Sequence, residues 1–397
     1  MTSPVTRWRA LASASAVGVA AVAVAGVGWA QPAEDAQAPP EPVVFQAGEI
    51  VNAGTSLSAD AADTRVVSYP GATYIKVHFA SLDLAPGDYL TVSSPDGTEV
   101  HTYHGAPGDG LIDGDSGYTV HGDSGFAAMS VFGDTAEVTI HSSGDVSTSN
   151  LVVDKYWRGY GKGEFNIVNA DIMSVCGNDA RRDTVCYQDS HPAEYESSRA
   201  VARLLSNGSG LCTTWRVGNT NRMLTNNHCV SSQSGIAATE SQFGYECATC
   251  GGDNPSEGVK VGGDTLIQTN STHDFTLFSV QNFDSITSFG TLYIANREPV
   301  AGERIYIPGH GDAIAKRLSI YEESDGGVTC KIDTPQDSSV TTGYMCDTSG
   351  GNSGSPVVLG DSNEVIALHA LGGCENSGYR MSLIYPLIAG DIDNSRV

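Results

Sequence analysis

The chain carries nine cysteines, and none of them precedes Cys176. That distribution constrains the fold more than any other feature, because one half can be cross-linked by disulfides and the other cannot. The nine are Cys176, Cys186, Cys212, Cys229, Cys247, Cys250, Cys330, Cys346 and Cys374. An odd count leaves at least one thiol unpaired within the chain. "CATC" at 247–250 has the spacing of half a zinc site, but no second close pair of ligands accompanies it, so neither a metal nor a cofactor is expected.

The N-terminus agrees with an oxidising destination. Arg7 and Arg9 precede the apolar run "ALASASAVGVAAVAVAGVG", and "GWA" before Gln31 offers small residues for cleavage, so residues 1–30 read as a secretory signal. The run approaches the ~20 residues of a membrane span. Its small side chains and the Pro-, Ala- and acid-rich linker that follows (31–44) favour cleavage, with no membrane association afterwards. The formal charge of −25 leaves nothing to neutralise phosphates, which argues against nucleic-acid partners. With 46 glycines breaking short apolar runs, the pattern is that of an all-β chain.

Residues 45–155 read as an antiparallel β-sandwich. In "TYIKVHFASLDL" Ile75, Val77 and Phe79 alternate with Tyr74, Lys76 and His78, as in a strand buried on one face. "PDG" between two alternating runs signals a hairpin. The stretch "YIKVHFASLDLAPGDYLTVSSPDG" resembles a CUB-like domain, without that family's usual cysteines, so calcium binding is not carried over. His101, His104 and His121 with Asp109, Asp113 and Asp115 read as polar loop residues rather than a metal site. The Gly-rich "VVDKYWRGYGKGEF" falls at a junction (156–170), beyond which the cysteine-bearing domain (171–397) begins.

The chemistry lies in that second half. Acyl transfer by a serine needs a base, an acid to orient the base, and backbone N–H groups aimed at the developing oxyanion. "CDTSGGNSGSPVV" (346–358) presents Ser353 in a turn whose glycines let the N–H groups of Gly351 and Ser353 converge. "MLTNNHCV" ends in His228, and Cys212 in "GLCTTWRV" lies on a neighbouring strand, so a Cys212–Cys229 bridge would fix the loop of the base. "THDFTLFSV" places Asp274 at the head of a strand.

In the order His, Asp, Ser, these blocks resemble the chymotrypsin-like (trypsin-like) serine endopeptidases, in particular the secreted bacterial branch of lysyl and glutamyl endopeptidases. The resemblance spans about 176–397. It implies two six-stranded β-barrels with His228 as base, Asp274 as orienter, Ser353 as nucleophile and Gly351 and Ser353 as oxyanion-hole donors. It also implies Cys176–Cys374 and Cys186–Cys250 bridges; Cys330 and Cys346, which flank the segment entering the pocket, are inferred as a further pair, and Cys247 is left over. Asn226 and Asn227 stand where the family often has Ala-Ala or Ala-His, and Asn352 replaces the aspartate that captures a new N-terminal amine in animal trypsins.

Three enzyme and non-enzyme readings follow. Asp347, six residues before Ser353, has the spacing of the acidic pocket floor of trypsin, with Gly372, Gly373 and Gly378 leaving the walls bare; this predicts cleavage after Arg or Lys. His369 aligns with a histidine that glutamyl endopeptidases use against a substrate carboxylate, which makes cleavage after Glu the alternative. The third is a secreted binding protein working through its CUB-like domain. Protein or peptide substrates and a monomer are expected, and Arg158 and Lys162 are candidate self-processing sites if cleavage follows basic residues.

Overall fold

In the strand Thr135–His141 every second residue (Ala136, Val138, Ile140) is buried and its neighbours are half-buried, the period-2 signature of a sheet with one face on a core. The computed structural model describes residues 43–58, 64–104, 119–120, 125–142, 149–168 and 175–396. The expected signal segment, Asp109, Asp113, Asp115 and His121 lie outside the described residues.

Strands β1 (Phe45–Gln46), β2 (Gly48–Ser58), β3 (Thr64–Ser68), β4 (Tyr74–Asp83), β5 (Tyr89–Ser93) and β6 (Val100–His104) are followed by β7 (Thr119–Val120), β8 (Phe126–Ala127), β9 (Val131–Phe132), β10 (Thr135–His141) and β11 (Asn150–Gly159). One sheet runs β3-β10-β5-β6 and the other β2-β11-β4-β8-β7, with β9 also on β4. Phe79, Leu90, Val92, Phe126, Val138 and Leu151 fill the space between them. The hairpin expected at "PDG" joins β5 to β6, with Gly97 at φ 71° and Asp96 Oδ1 accepting from the Thr98 N–H.

The second half continues with α1 (Lys162–Val168), β12 (Arg182–Asp183), α2 (Pro192–Ser198), β13 (Val201–Ser206), β14 (Gly210–Arg216), β15 (Met223–Thr225), α3 (Gln233–Ala237), β16 (Thr239–Phe243), β17 (Val259–Asn270) and β18 (Phe275–Val280). Strands β14-β13-β16-β17-β18-β15 close into a six-stranded barrel through the β14–β15 pairing. Then come β19 (Tyr293–Ile294), β20 (Ile305–Gly309), β21 (Arg317–Ser319), β22 (Thr341–Tyr344), β23 (Pro356–Leu359), β24 (Glu364–Leu371), β25 (Asn376–Arg380) and α4 (Met381–Ile388). Their sheet runs β12-β21-β20-β23-β24-β25-β22, with β19 parallel to β24. Trp215, Leu224, Phe275 and Leu277 of the first barrel share one core with Tyr306, Val358, Leu368 and Ile384 of the second half. The chain is all-β in its architecture, as its sequence pattern implies.

Two expectations need correction. Strand β4 is buried on both faces over Tyr74–Phe79, because Tyr74 and Lys76 face the first barrel rather than water and His78 packs beside Trp157 and Asp154 of β11. The Tyr74 hydroxyl donates to Gly208 O (2.8 Å), and the Arg203 guanidinium lies 5.7 Å from the Tyr74 ring. Lys76 pairs with Glu240 and donates to Ala128 O (2.9 Å), while Ser130 Oγ donates to Glu240 Oε2 (2.7 Å). The second correction concerns Arg158. It lies within β11 between β2 and β4, buried, its guanidinium shared by Glu49 and Glu164 and stacked on Tyr69 at 4.3 Å. Cleavage there would require a central strand to leave its sheet, so Arg158 is not an exposed processing site; Lys162 opens α1.

The buried charges predict how the two halves resist separation. Lys76→Met strands a buried carboxylate and should cost about 3–5 kcal/mol in urea unfolding, whereas Lys76→Met combined with Glu240→Leu should recover much of that loss. An unchanged unfolding midpoint in the single variant would show that the pair contributes nothing. Burial pushes the Glu99 carboxyl up, but the Lys260 ammonium and His101 prevail and hold it at about 2. Its stabilising contribution is therefore present above the ordinary carboxylate range and lost as pH falls from about 4.5 through about 2. Lys260→Met should flatten that part of a stability-versus-pH curve.

Candidate active site

Strand β15 is held between β14 and β18, with Thr225 opposite Thr276, and delivers the chain to His228 just beyond its end. The Cys212–Cys229 disulfide, with Cα atoms 6.2 Å apart, ties the His228 turn back to β14. Asp274 precedes β18 at φ 43°, a left-handed conformation that aspartate tolerates better than most residues. Its Oδ1 accepts the His228 backbone N–H at 2.9 Å, and its Oδ2 lies 2.7 Å from His228 Nδ1. This double contact fixes the ring and puts the free nitrogen, Nε2, on the far side. Nε2 is buried and has no hydrogen-bond partner among the described residues.

Asn226 explains one departure that the sequence left without an account. Its Nδ2 donates to Asp274 O (2.9 Å), so a buried amide holds the main chain of the orienting acid in its left-handed turn. Asn227 donates to Thr269 Oγ1 (2.7 Å).

Ser353 approaches from the second half, in the turn between β22 and β23. Thr213 of β14 donates its N–H to Ser353 O (2.8 Å) and its hydroxyl to Gly351 O (3.0 Å). Ser353 O also stands 4.0 Å from Cys229 Sγ, next to His228. Gly351 (φ 104°) and Gly354 (φ 88°) have backbone conformations that favour glycine, and a Cβ on Gly354 would lie 2.1 Å from Thr213 O. Among the described residues neither Gly351 N–H nor Ser353 N–H has a hydrogen-bond partner.

The remaining site residues divide. Asp347 is fully buried, but Oδ1 accepts the Cys176 N–H (2.9 Å) and Oδ2 accepts the Ala180 N–H (2.8 Å). The carboxylate fastens the segment that opens the second half, and both oxygens are engaged. Two backbone amides thus meet the carboxylate that its spacing places at the pocket floor, and spacing alone did not reveal them. Glu375, the other nearby acid, is exposed and accepts from Thr334 Oγ1 (3.1 Å).

His369 brackets the nucleophile turn, its N–H donating to Ser355 O (2.9 Å) and its carbonyl accepting from Gly354 N (2.8 Å). Its buried ring places Nδ1 2.8 Å from the Tyr344 hydroxyl, and burial, with the His228 charge, lowers its pKa to about 3. Gly378 faces His369 across β24–β25; a Cβ there would come within 3.0 Å of the Tyr344 hydroxyl, so the bare position makes room for that contact. Gly373 donates to Asn376 Oδ1 (3.1 Å), and Gly372 beside it is exposed. The motif reading missed Tyr344 and Asn376, which lie outside the three blocks.

Cys176–Cys374, Cys186–Cys250 and Cys330–Cys346 are disulfides, and Cys247 is a buried free thiol. With Cys250 so engaged, "CATC" keeps one thiol. His101 lies 3.1 Å from Glu99, and His104 packs beside Tyr89.

Comparison with known proteins fits this geometry. A family model described as a trypsin-like peptidase domain matches residues 208–368, the span that contains His228, Asp274 and Ser353. "Secreted RxLR effector protein 73" of Plasmopara viticola is 30% identical over 324 residues, covering 77% of this chain and 76% of its own. The chain belongs to one family with that effector and carries a trypsin-like peptidase domain. The match with the effector extends well beyond the peptidase domain. Among solved structures, a Glu endopeptidase in complex with MPD is 17% identical with a TM-score of 0.41, over 56% of this chain and 100% of its own. Rv3671c of M. tuberculosis, as an inactive Ser343Ala mutant, is 12% identical with a TM-score of 0.37, over 55% and 96%.

The peptidase domain yields a prediction about Asp347. Asp347→Ala should leave two buried amides unpaired and lower stability by about 2–5 kcal/mol. The preference for the residue before the cut should stay as it is in the parent protein. Both are read from melting curves and a matched peptide set; a change of preference at unchanged stability would return Asp347 to the pocket.

Proposed function

We propose that this chain is a secreted serine endopeptidase, hydrolysing peptide bonds with Ser353, His228 and Asp274. The observation that carries the reading is the doubly held His228–Asp274 pair, with the glycine-bracketed turn of Ser353 reaching Cys229 next to it. Ser353 Oγ attacks the scissile carbonyl while His228 Nε2 takes its proton, and Asp274 keeps the ring oriented and balances the imidazolium. The N–H groups of Gly351 and Ser353 receive the oxyanion. His228 then protonates the leaving amine, and water, activated by the same nitrogen, releases the acyl group. Hydrogen bonds between nucleophile and base commonly tighten only with substrate in place, so the unpartnered Nε2 is compatible with this role. Four disulfides and a relative described as secreted support export.

For the side chain before the cut, the contacts favour an acid over a base. The two acids that could greet Arg or Lys are engaged elsewhere, whereas His369 stands beside the nucleophile turn with Tyr344 against its Nδ1. A Tyr344 hydroxyl that donates to Nδ1 leaves the proton on Nε2, ready for a substrate carboxylate. That carboxylate would also supply the counter-charge a buried imidazolium lacks.

A fluorophosphonate should label the secreted protein at Ser353, and Ser353→Ala should abolish both labelling and turnover with the fold retained. Asp274→Asn should lose on the order of 10⁴ in kcat. No labelling and no cleavage of unfolded protein by the parent chain would sink the endopeptidase reading. Peptides differing only before the cut should be cleaved after Glu, and His369→Gln should erase the preference. Cleavage after Arg or Lys would refute the assignment of His369.

A further inference from the structure

The turn that presents Ser353 is touched by the N-terminal domain. Strand β1 adds to β14, with Phe45 opposite Leu211 and Gln46 opposite Gly210. Beyond it Ala47 donates to Ser209 O (2.6 Å), and Tyr160 donates to Ala47 O (2.8 Å), so β1 is fastened to both domains. The buried Phe45 ring stacks against Phe165, with centroids 6.5 Å apart. It also lies directly on Gly350: a Cβ there would be 2.1 Å from Phe45 Cδ1. Leu211, its strand partner, meets Gly351 in the same way, 2.5 Å from where a Cβ would sit. Gly350 O in turn accepts the Asp312 N–H (2.8 Å).

We infer that Phe45 is a positioning residue for the oxyanion-binding turn, and that the N-terminal domain is a working part of the active site. The inference rests on the serine-endopeptidase reading. Gly350 and Gly351 are consecutive glycines separated from the nucleophile only by Asn352, and glycine has the widest backbone freedom of any residue. An oxyanion donor acts only if its N–H is aimed in advance. The Phe45 ring takes the volume a side chain at Gly350 would occupy and limits the turn from one side, while Asp312 and Thr213 hold its carbonyls.

A competing role is inhibition, since an added strand is also how a bound peptide would lie on a sheet edge. The contacts favour permanence. Phe45 continues into an apolar cluster with Tyr74, Trp157, Leu205, Leu211 and Ala313, and the flanking Lys76–Glu240 and Lys260–Glu99 pairs cross between the domains. Departure of the domain would expose that cluster and part both pairs.

The test uses the full chain with Phe45→Ala and Phe45→Leu, measuring kcat, KM, fluorophosphonate labelling and melting temperature. Losing one oxyanion donor costs about 10²–10³ in kcat, so a donor that is merely less well aimed should cost about 10–100-fold. Phe45→Ala should show that loss in kcat with KM within about 2-fold, and Phe45→Leu a smaller loss of about 3–10-fold, a split that general weakening of the fold would not produce. Unchanged kcat would overturn the inference, and raised kcat would make β1 an inhibitor. Should Phe45→Ala not fold, Phe45→Leu decides alone: reduced kcat supports the role and parental kcat refutes it. A parent protein that takes no label overturns the endopeptidase reading, and this inference with it. A labelled parent with fully active variants overturns the inference only.

Discussion

Thr213 is the residue on which the active-site geometry turns. It belongs to the first barrel, yet its N–H and hydroxyl bind the carbonyls of Ser353 and Gly351 between strands of the C-terminal sheet, and its hydroxyl accepts from His310 N (3.1 Å). Its own carbonyl accepts from Thr225 Oγ1 (2.8 Å), on the strand that leads to His228. All of this is buried, where an unmade hydrogen bond costs about 1–3 kcal/mol. The first barrel and the C-terminal sheet are therefore held in one register, with Ser353 brought beside the turn of His228. Gly354 follows from the same constraint, because any side chain there would strike the Thr213 carbonyl.

What the sequence made legible was whatever depends on short stretches. Alternation in "AEVTIHSSG" and the turn chemistry of Asp96 and Gly97 are local, and the sheet forms as they imply. The blocks around His228, Asp274 and Ser353 could be recognised because acyl transfer needs those residue types in those turns. What stayed hidden depends on partners far away in the chain. Asp347 has the spacing of a pocket acid, yet its two amide donors come from residues 176 and 180. Lys76 and His78 read as a solvent face because alternation reports that one face is polar, not whether another domain covers it. Asn226 looked like an unexplained substitution until the Asp274 carbonyl appeared opposite its amide.

The same limit explains where the basic residues go. The chain has 21 lysines and arginines against 46 acids, and Lys76, Lys260 and Lys316 are almost wholly removed from water. Lys76 and Lys260 join the N-terminal domain to the first barrel. Lys316, just before β21, donates to the carbonyls of Ser198 (2.8 Å) and Val201 (3.1 Å) and pairs with Glu246, joining the C-terminal sheet to the first barrel and the helix before it. A long side chain ending in three donors suits this task, since it can satisfy carbonyls from two segments while neutralising one acid.

The acids paired with these cations are withdrawn along with them, so the exterior keeps the acidic balance that the net charge of −25 implies. Such a surface repels an acidic polypeptide at long range, and salt weakens that repulsion over about 8–10 Å. A preference for an acidic side chain at the cut, if His369 supplies it, must then arise inside the site. There a buried imidazole sits against Tyr344, and the low polarity of the surroundings strengthens a single charge–charge contact. Under the proposed role of His369, field and pocket would act in opposite directions: the field would select against acidic chains as a whole, and the pocket would select for one acidic residue within a chain that is otherwise neutral or basic. That combination would confine cleavage to isolated acidic residues, and its dependence on salt would separate the two contributions, because screening relaxes the field and leaves a buried contact nearly intact.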